Sequence, residues 1–134
     1  MCGFAGFINN SKNFTDQKVI KDMNDALVHR GPDGEGFYFD DKINLSHKRL
    51  SIIDLNKRSN QPLMDFKQKH IIVFNGEIYN YVELKKALLS YGFKFTTESD
   101  TEVLLKSYIY WGDKFLMKIK GMFSFVIYDL EKNL

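Results

Sequence analysis

The cysteine at position 2 is the residue of this chain best suited to covalent chemistry. Once Met1 is removed, Cys2 carries both a thiol and an α-amine. An α-amine has an ordinary pKa of about 7.7 to 8.0 and can take the thiol proton. One residue would then supply the nucleophile and the base for attack on a carbonyl carbon. The alternative is that Cys2 fills space in an apolar strand, because free cysteines are commonly buried.

The dipeptide Asn75-Gly76 could stabilise the oxyanion that such an attack creates. It follows the apolar run 71–74, and it offers one side-chain amide and one backbone N–H that can approach closely because Gly76 lacks a side chain. The competing interpretation is a plain turn between strand and helix, since Asn and Gly both tolerate positive φ.

Charged residues could fix a substrate that carries both a carboxylate and an ammonium group. Arg49 is the candidate for the carboxylate, because a guanidinium is a planar fork that matches it. Asp100 and Glu77 are the candidates for the ammonium. For each, the commoner outcome without context is a solvated surface charge or, for Asp100, a helix N-cap.

The pattern of apolar residues predicts an α+β fold to position these groups. We expect strands over 2–8, 37–39, 43–46, 71–74 and 122–128. We expect helices over 16–29, from about 81 to 92, and from an N-cap somewhere within 96–102 to Gly112. Residues 54–69 are polar and irregular and predict a loop. Residues 129–134 resemble a hairpin turn without its return strand, so we expect a domain truncated at its C-terminus.

Composition narrows the class of protein. The chain has 134 residues, 44% of them apolar, which suits one soluble domain. A net charge of +2 gives no reason to expect nucleic-acid binding, and no apolar run approaches the roughly 20 residues of a membrane span. One cysteine and three histidines without ligand spacing predict no metal site. The N-terminus does not resemble a secretory signal, so we expect a cytoplasmic protein.

Seven segments of the chain resemble one known family, and they occur in its order. The chain is similar to the class II glutamine amidotransferase domain of asparagine synthetases, on these segments: MCGFAGF, HRGPDGEG, HKRLSIIDL, QPL, NGEIYN, ESDTEVLL and KGMFSFVIYD. The resemblance covers the whole chain, 1–134, and implies an N-terminal-nucleophile hydrolase fold, an αββα sandwich.

The resemblance also implies roles for particular residues in the hydrolysis of glutamine. Cys2 would be the nucleophile, and Asn75 and Gly76 the oxyanion hole. Glutamine would be held at its carboxylate by Arg49 and at its ammonium by Asp100 and Glu77. Residues 30–33 would form a loop beside Cys2, with a packing role as the alternative. The segment after Arg49 would line the pocket: Leu50, Ser51, Ile52 and Ile53.

The same resemblance implies a larger enzyme. In the family, a further synthetase domain uses ATP and Mg²⁺ to pass the ammonia to aspartate, whereas the glutaminase domain itself uses no cofactor. We expect that synthetase domain to be missing from this chain, and the resemblance allows a homodimer. Two other interpretations stay open: a glutaminase that serves another acceptor, such as a sugar carboxylate, and a non-catalytic interaction fragment. A retained Met1 would block the amine that the mechanism uses.

Overall fold

The computed structural model describes residues 2–9 and 17–134. This part of the chain forms six strands: β1 (Gly3–Ile8), β2 (Gly34–Phe39), β3 (Ile43–Arg49), β4 (Leu63–Met64), β5 (His70–Ile78) and β6 (Gly121–Asp129). It also forms three α-helices: α1 (Gln17–Asp25), α2 (Tyr81–Ser90) and α3 (Asp100–Trp111). Short 3₁₀ segments occupy Val28–Arg30, Lys57–Ser59 and Gly112–Met117.

The strands form two antiparallel three-stranded sheets. The first sheet has the order β1-β3-β2, with Gly3 opposite Lys48 and Phe39 opposite Asn44. The second has the order β4-β5-β6, and β5 pairs with β6 along nine positions from His70 to Ile78. Strand β5 is therefore the central strand of the second sheet.

Alternation along β5 explains how the layers stack. Ile71 and Val73 point into an apolar cluster shared with Ile43 and Leu45 of β3, which lies between the two sheets. Ile72 and Phe74 point the other way, into a cluster with residues of α2 and α3. Helix α1 covers the first sheet, through contacts with β1 and β3. The resulting order of layers is helix, sheet, sheet, helix, as the resemblance to the family implied.

Several predicted elements are confirmed, with different bounds. The hairpin of β2 and β3 is present but longer than predicted, and the loop 54–69 contains the 3₁₀ segment Lys57–Ser59 and the short strand β4. Helix α1 buries Ile20 and Asn24, whereas Ala26, which lies inside the predicted helix 16–29, is exposed beyond the observed helix end. The predicted start of α1 at residue 16 lies outside the described residues.

The prediction that Asn75-Gly76 forms a turn is wrong. Both residues lie inside β5, which continues to Ile78. The strand continues because Glu77 and Ile78 still pair with β6, and because the carboxylate of Asp100 accepts the Ile78 N–H at 3.0 Å. The change of direction comes two residues later, before α2.

Within the described ranges, no helix has the length and apolar character needed to cross a membrane.

Candidate active site

An open cavity collects residues from the start of β1, the loop after β3, the middle of β5 and the start of α3. Its volume is about 70 Å³, and it is partly open to solvent. The sequence-predicted site residues that line it are Cys2, Arg49, Leu50, Ile52, Ile53, Asn75, Gly76, Glu77 and Asp100. Ser51 is the one predicted site residue that does not line it.

The Cys2 thiol is held against the end of β3. The Leu50 N–H donates to Sγ at 3.2 Å, and the thiol can donate to the Leu50 carbonyl at 3.5 Å. The Arg30 Nε donates to the Cys2 carbonyl at 2.9 Å, which anchors the backbone of the cysteine. These contacts fix a half-buried thiol at the cavity wall, and they are not the contacts of a side chain that merely fills a core.

The loop over residues 30–33 contacts the Cys2 backbone through the Arg30 side chain and packs on the end of β3. Gly31 packs so closely on β3 that a Cβ there would lie 2.3 Å from the Lys48 carbonyl carbon. The Asp33 N–H donates to the Arg49 carbonyl at 2.9 Å, and the Asp33 carboxylate accepts the Ser51 N–H at 2.7 Å. The last contact explains why Ser51 is held at the loop and not at the cavity.

Asn75 retains unused hydrogen-bonding capacity in the cavity wall. Its side-chain amide makes no hydrogen bond to the described part of the chain, and Oδ1 is buried without a partner. The two amide atoms are distinguished only by their hydrogen-bond network, so either one can be turned toward a ligand. An unpaired buried amide of this kind favours a bound group that supplies the missing partner.

The Gly76 N–H faces the same side of β5 as the cavity. The N–H groups of Phe74 and Ile78, two residues before and after it, both bond to side chains on the edge away from β6. Because strand N–H groups alternate between edges, the Gly76 N–H points to that edge too. Gly76 has φ 152°, and a Cβ there would lie 2.2 Å from the Met122 carbonyl oxygen. Only glycine fits at this position.

The Arg49 guanidinium is buried and organises the loop that forms one wall. One Nη donates to the Asn56 carbonyl at 2.9 Å and to the Asn60 side chain at 2.8 Å, and the other bonds the Ile53 and Asp54 carbonyls. Both Nη atoms are therefore engaged within the chain. A substrate carboxylate would have to share or replace these carbonyl acceptors, so the role of Arg49 as a carboxylate clamp stays a prediction.

Asp100 places a buried carboxylate at the cavity. It is the first residue of α3, where Ser99 and not Asp100 is the N-cap. Burial raises the pKa of Asp100, with the nearby charge of Glu77 adding to the effect, although backbone N–H groups such as that of Ile78 oppose it. A cation in the cavity would relieve this cost. The geometry suits an ammonium group at this end, with the exposed Glu77 at the rim.

The cavity also contains residues that the sequence did not predict as site residues: Ser59, Gln61, Phe74, Ser99 and Thr101. Gln61 belongs to the QPL segment, and Ser99 and Thr101 flank Asp100 in the ESDTEVLL segment, so the motifs could have indicated these three residues. Ser59 lies in none of the seven segments. Among the described residues, no group of three or more His, Cys, Asp or Glu side chains could hold a metal ion.

Comparison with known proteins identifies the family of this chain. The chain matches the family described as "Glutamine amidotransferase domain" over residues 1–134. The chain belongs to this family of glutamine amidotransferase domains. The fold predicted from the sequence is confirmed by solved relatives: a glutamine phosphoribosylpyrophosphate amidotransferase from Bacillus subtilis superposes with a TM-score of 0.58 at 26% identity, over 69% of this chain and 22% of that one.

Two curated relatives indicate which branch of the family this domain resembles. Asparagine synthetase [glutamine-hydrolyzing] 1 of Bacillus subtilis is 42% identical over 96% of this chain and 21% of its own length. Asparagine synthetase B [glutamine-hydrolyzing] of Escherichia coli is 38% identical over 99% of this chain and 24% of its own length. The chain thus spans about a fifth to a quarter of the length of these relatives.

Proposed function

We propose that this domain hydrolyses the side-chain amide of glutamine to glutamate and ammonia. The observation that carries the proposal is that one cavity holds the Cys2 thiol, the Asn75-Gly76 donors and the buried carboxylate of Asp100. A thiol and oxyanion donors suit acyl transfer from an amide. A carboxylate at the same cavity suits the α-ammonium group of a free amino acid.

The reaction follows from these groups. After removal of Met1, the α-amine of Cys2 takes the thiol proton, and Sγ attacks the amide carbon of glutamine. The oxyanion that forms is stabilised by the Asn75 side-chain N–H and the Gly76 backbone N–H. The C–N bond then breaks as the α-ammonium returns the proton to the leaving nitrogen, which releases ammonia and leaves a thioester on Cys2. Water, deprotonated by the same amine, hydrolyses the thioester to glutamate.

Substrate selection would come from the walls of the cavity. Asp100 and Glu77 would hold the ammonium group, and Arg49 with the backbone of residues 50–53 would hold the carboxylate. The Arg49 guanidinium would reach the carboxylate by sharing the donors that now bond the carbonyls of its own loop.

The ammonia would serve an amide-forming step, and asparagine synthesis from aspartate is the step that the relatives' names support. ATP and Mg²⁺ would act in a synthetase domain outside these 134 residues. A cytoplasmic location agrees with this function, and a homodimer is compatible with it.

The direct test is incubation of the Met1-processed protein, as it is made in the cell, with glutamine. Glutamate and ammonia should form in equal amounts, and asparagine, which is one methylene shorter, should be a much poorer substrate. Addition of aspartate, ATP and Mg²⁺ should convert the ammonia to asparagine. Absence of glutamate from fully processed, folded protein would contradict the proposal, and glutamate without asparagine would contradict only the acceptor.

A further inference from the structure

The QPL segment supplies a buried side chain, Gln61, that hydrogen-bonds to β5, the strand that carries Asn75 and Gly76. Gln61 is 6% exposed. Its Oε1 accepts the Phe74 N–H at 2.6 Å, and its Nε2 donates to the Thr101 hydroxyl at 3.2 Å. Since the Phe74 N–H requires an acceptor, the orientation of the Gln61 amide is fixed by the network.

The other backbone group of Phe74 is also held by a side chain. The Phe74 carbonyl accepts a hydrogen bond from Nε2 of His47 at 3.1 Å, and His47 is fully buried on β3. Both contacts lie on the edge of β5 that no neighbouring strand pairs at this position, because β4 ends its pairing at Ile72. Gln61 and His47 therefore hydrogen-bond to the backbone N–H and carbonyl of Phe74 in place of an adjacent strand.

Phe74 directly precedes the two residues that would stabilise the oxyanion. Gly76 lacks a side chain, and the Asn75 amide makes no hydrogen bond within the described chain, so neither side chain fixes this part of β5. Pairing with β6 holds one edge. On the cavity edge, the last backbone contact before Asn75 is the one at Phe74.

We propose that Gln61 is a positioning residue for catalysis, which acts through Phe74 to fix the Asn75 and Gly76 donors. The proposal rests on the glutaminase function and assigns to the QPL segment a task in that reaction. Gln61 also links β5 to α3, because it hydrogen-bonds to Thr101, which is next to Asp100. It thereby holds the oxyanion donors and the ammonium-binding carboxylate in one fixed relation.

The test compares Gln61→Met with a matched control in the protein as it is made in the cell. Methionine has a similar length and removes both hydrogen bonds. The control is Asp65→Ala, because the Asp65 carboxylate also accepts a β5 backbone N–H, that of His70 at 2.7 Å, but at the far end of the strand. Gln61→Met should lower kcat for glutamate release about 10- to 100-fold with a change in KM below about 3-fold, as expected for donors that act mainly in the transition state. Asp65→Ala should leave kcat within about 2-fold.

A double-mutant cycle separates positioning from general damage. If Gln61 acts through Asn75, the factor lost on Gln61→Met should be at least about 3-fold smaller in an Asn75→Ala background than in the wild type. Full multiplication of the two factors would overturn the proposal, as would a kcat for Gln61→Met within 2-fold of the wild type.

Amide hydrogen exchange provides a readout that does not depend on activity. Gln61→Met should accelerate exchange at the amides of Phe74 and Asn75 and leave the other end of β5 protected, whereas Asp65→Ala should do the reverse. Unchanged protection at these two amides would overturn the proposal even if the wild type has no glutaminase activity. Thr101→Val, which keeps the Phe74 acceptor but frees the other end of Gln61, should show the same changes at smaller size and replaces Gln61→Met if that variant does not fold.

Discussion

The buried His47 should make the stability of this domain fall on mild acidification. Burial lowers the pKa of His47 to about 4, and the positive charge of Arg49 adds to this, while the hydrogen bond to Phe74 opposes it. The imidazole is thus neutral in the folded state down to about pH 4, whereas the unfolded chain takes a proton below about 6.5. The stabilisation is complete above pH 6.5 and is lost as the pH falls from 6.5 toward 4.

The size of the effect follows from the two pKa values. At about 1.36 kcal/mol per pKa unit, the interval from 6.5 to about 4 corresponds to about 3 kcal/mol in total. About 2 kcal/mol of this should be lost between pH 7 and pH 5. For a domain with a free energy of unfolding of roughly 5 to 15 kcal/mol, such a loss is readily measured.

The assay is urea unfolding of the wild type and of His47→Gln at pH 7 and pH 5. Glutamine does not titrate, yet its side-chain amide can donate to the Phe74 carbonyl in place of Nε2. Carboxylates contribute equally to the pH dependence of the free energy of unfolding in both proteins. The difference between the two pH dependences therefore isolates the contribution of His47. We expect the wild type to lose about 2 kcal/mol more than the variant. Equal losses in the two proteins, within about 0.5 kcal/mol, would show that His47 does not titrate differently in the folded and unfolded states.

Glutamine binding and self-association can be tested by substitution in the same way. Arg49→Lys should raise the KM for glutamine about 10- to 100-fold in steady-state assays of glutamate release, because lysine lacks the planar fork; an unchanged KM and kcat would exclude Arg49 as the clamp. The KM for glutamine should rise as the pH falls through the raised pKa of Asp100, since the protonated acid cannot pair with an ammonium group. Asp100→Asn should show a high KM that does not change as the pH falls through the pKa of Asp100 in the wild type. The 134-residue chain should self-associate through β6, an edge strand of its sheet with Met122 63% exposed; light scattering should detect oligomers that Met122→Lys reduces, and a monodisperse monomer at high concentration would contradict this.

Much of the fold could be predicted because its signals are local. A compact apolar run located β5, weak apolar alternation located β6, and glycines marked the ends of α2 and α3. The continuation of β5 through Asn75-Gly76 could not be predicted in this way. It depends on pairing with β6, about 46 residues later in the chain, and on a carboxylate from α3. A strong local turn signal was overridden by these long-range contacts.

Motifs predicted part of the cavity lining. The lining residues that were missed are those whose contacts are non-local. Cys2, Asn75, Gly76 and Asp100 each have a side chain or backbone group with a direct chemical use, and the structure brings them to one cavity. Gln61 has no such use by itself. The positioning role proposed for it depends on two partners, Phe74 and Thr101, which the sequence does not place near it.

Covalent labelling of the processed protein tests whether Cys2 is an N-terminal nucleophile. Wild-type protein is treated with a glutamine-mimicking electrophile and examined by mass spectrometry, beside Cys2→Ala and a form in which an N-terminal tag prevents exposure of the Cys2 amine. We expect one adduct, on Cys2, and glutamate release in the wild type alone. The tagged form should lose activity although its thiol is intact, because the thiol lacks its neighbouring base. Glutamate release by Cys2→Ala at the wild-type rate, with contaminating glutaminase excluded, would show that Cys2 is not the nucleophile and leave it as a residue of the cavity wall.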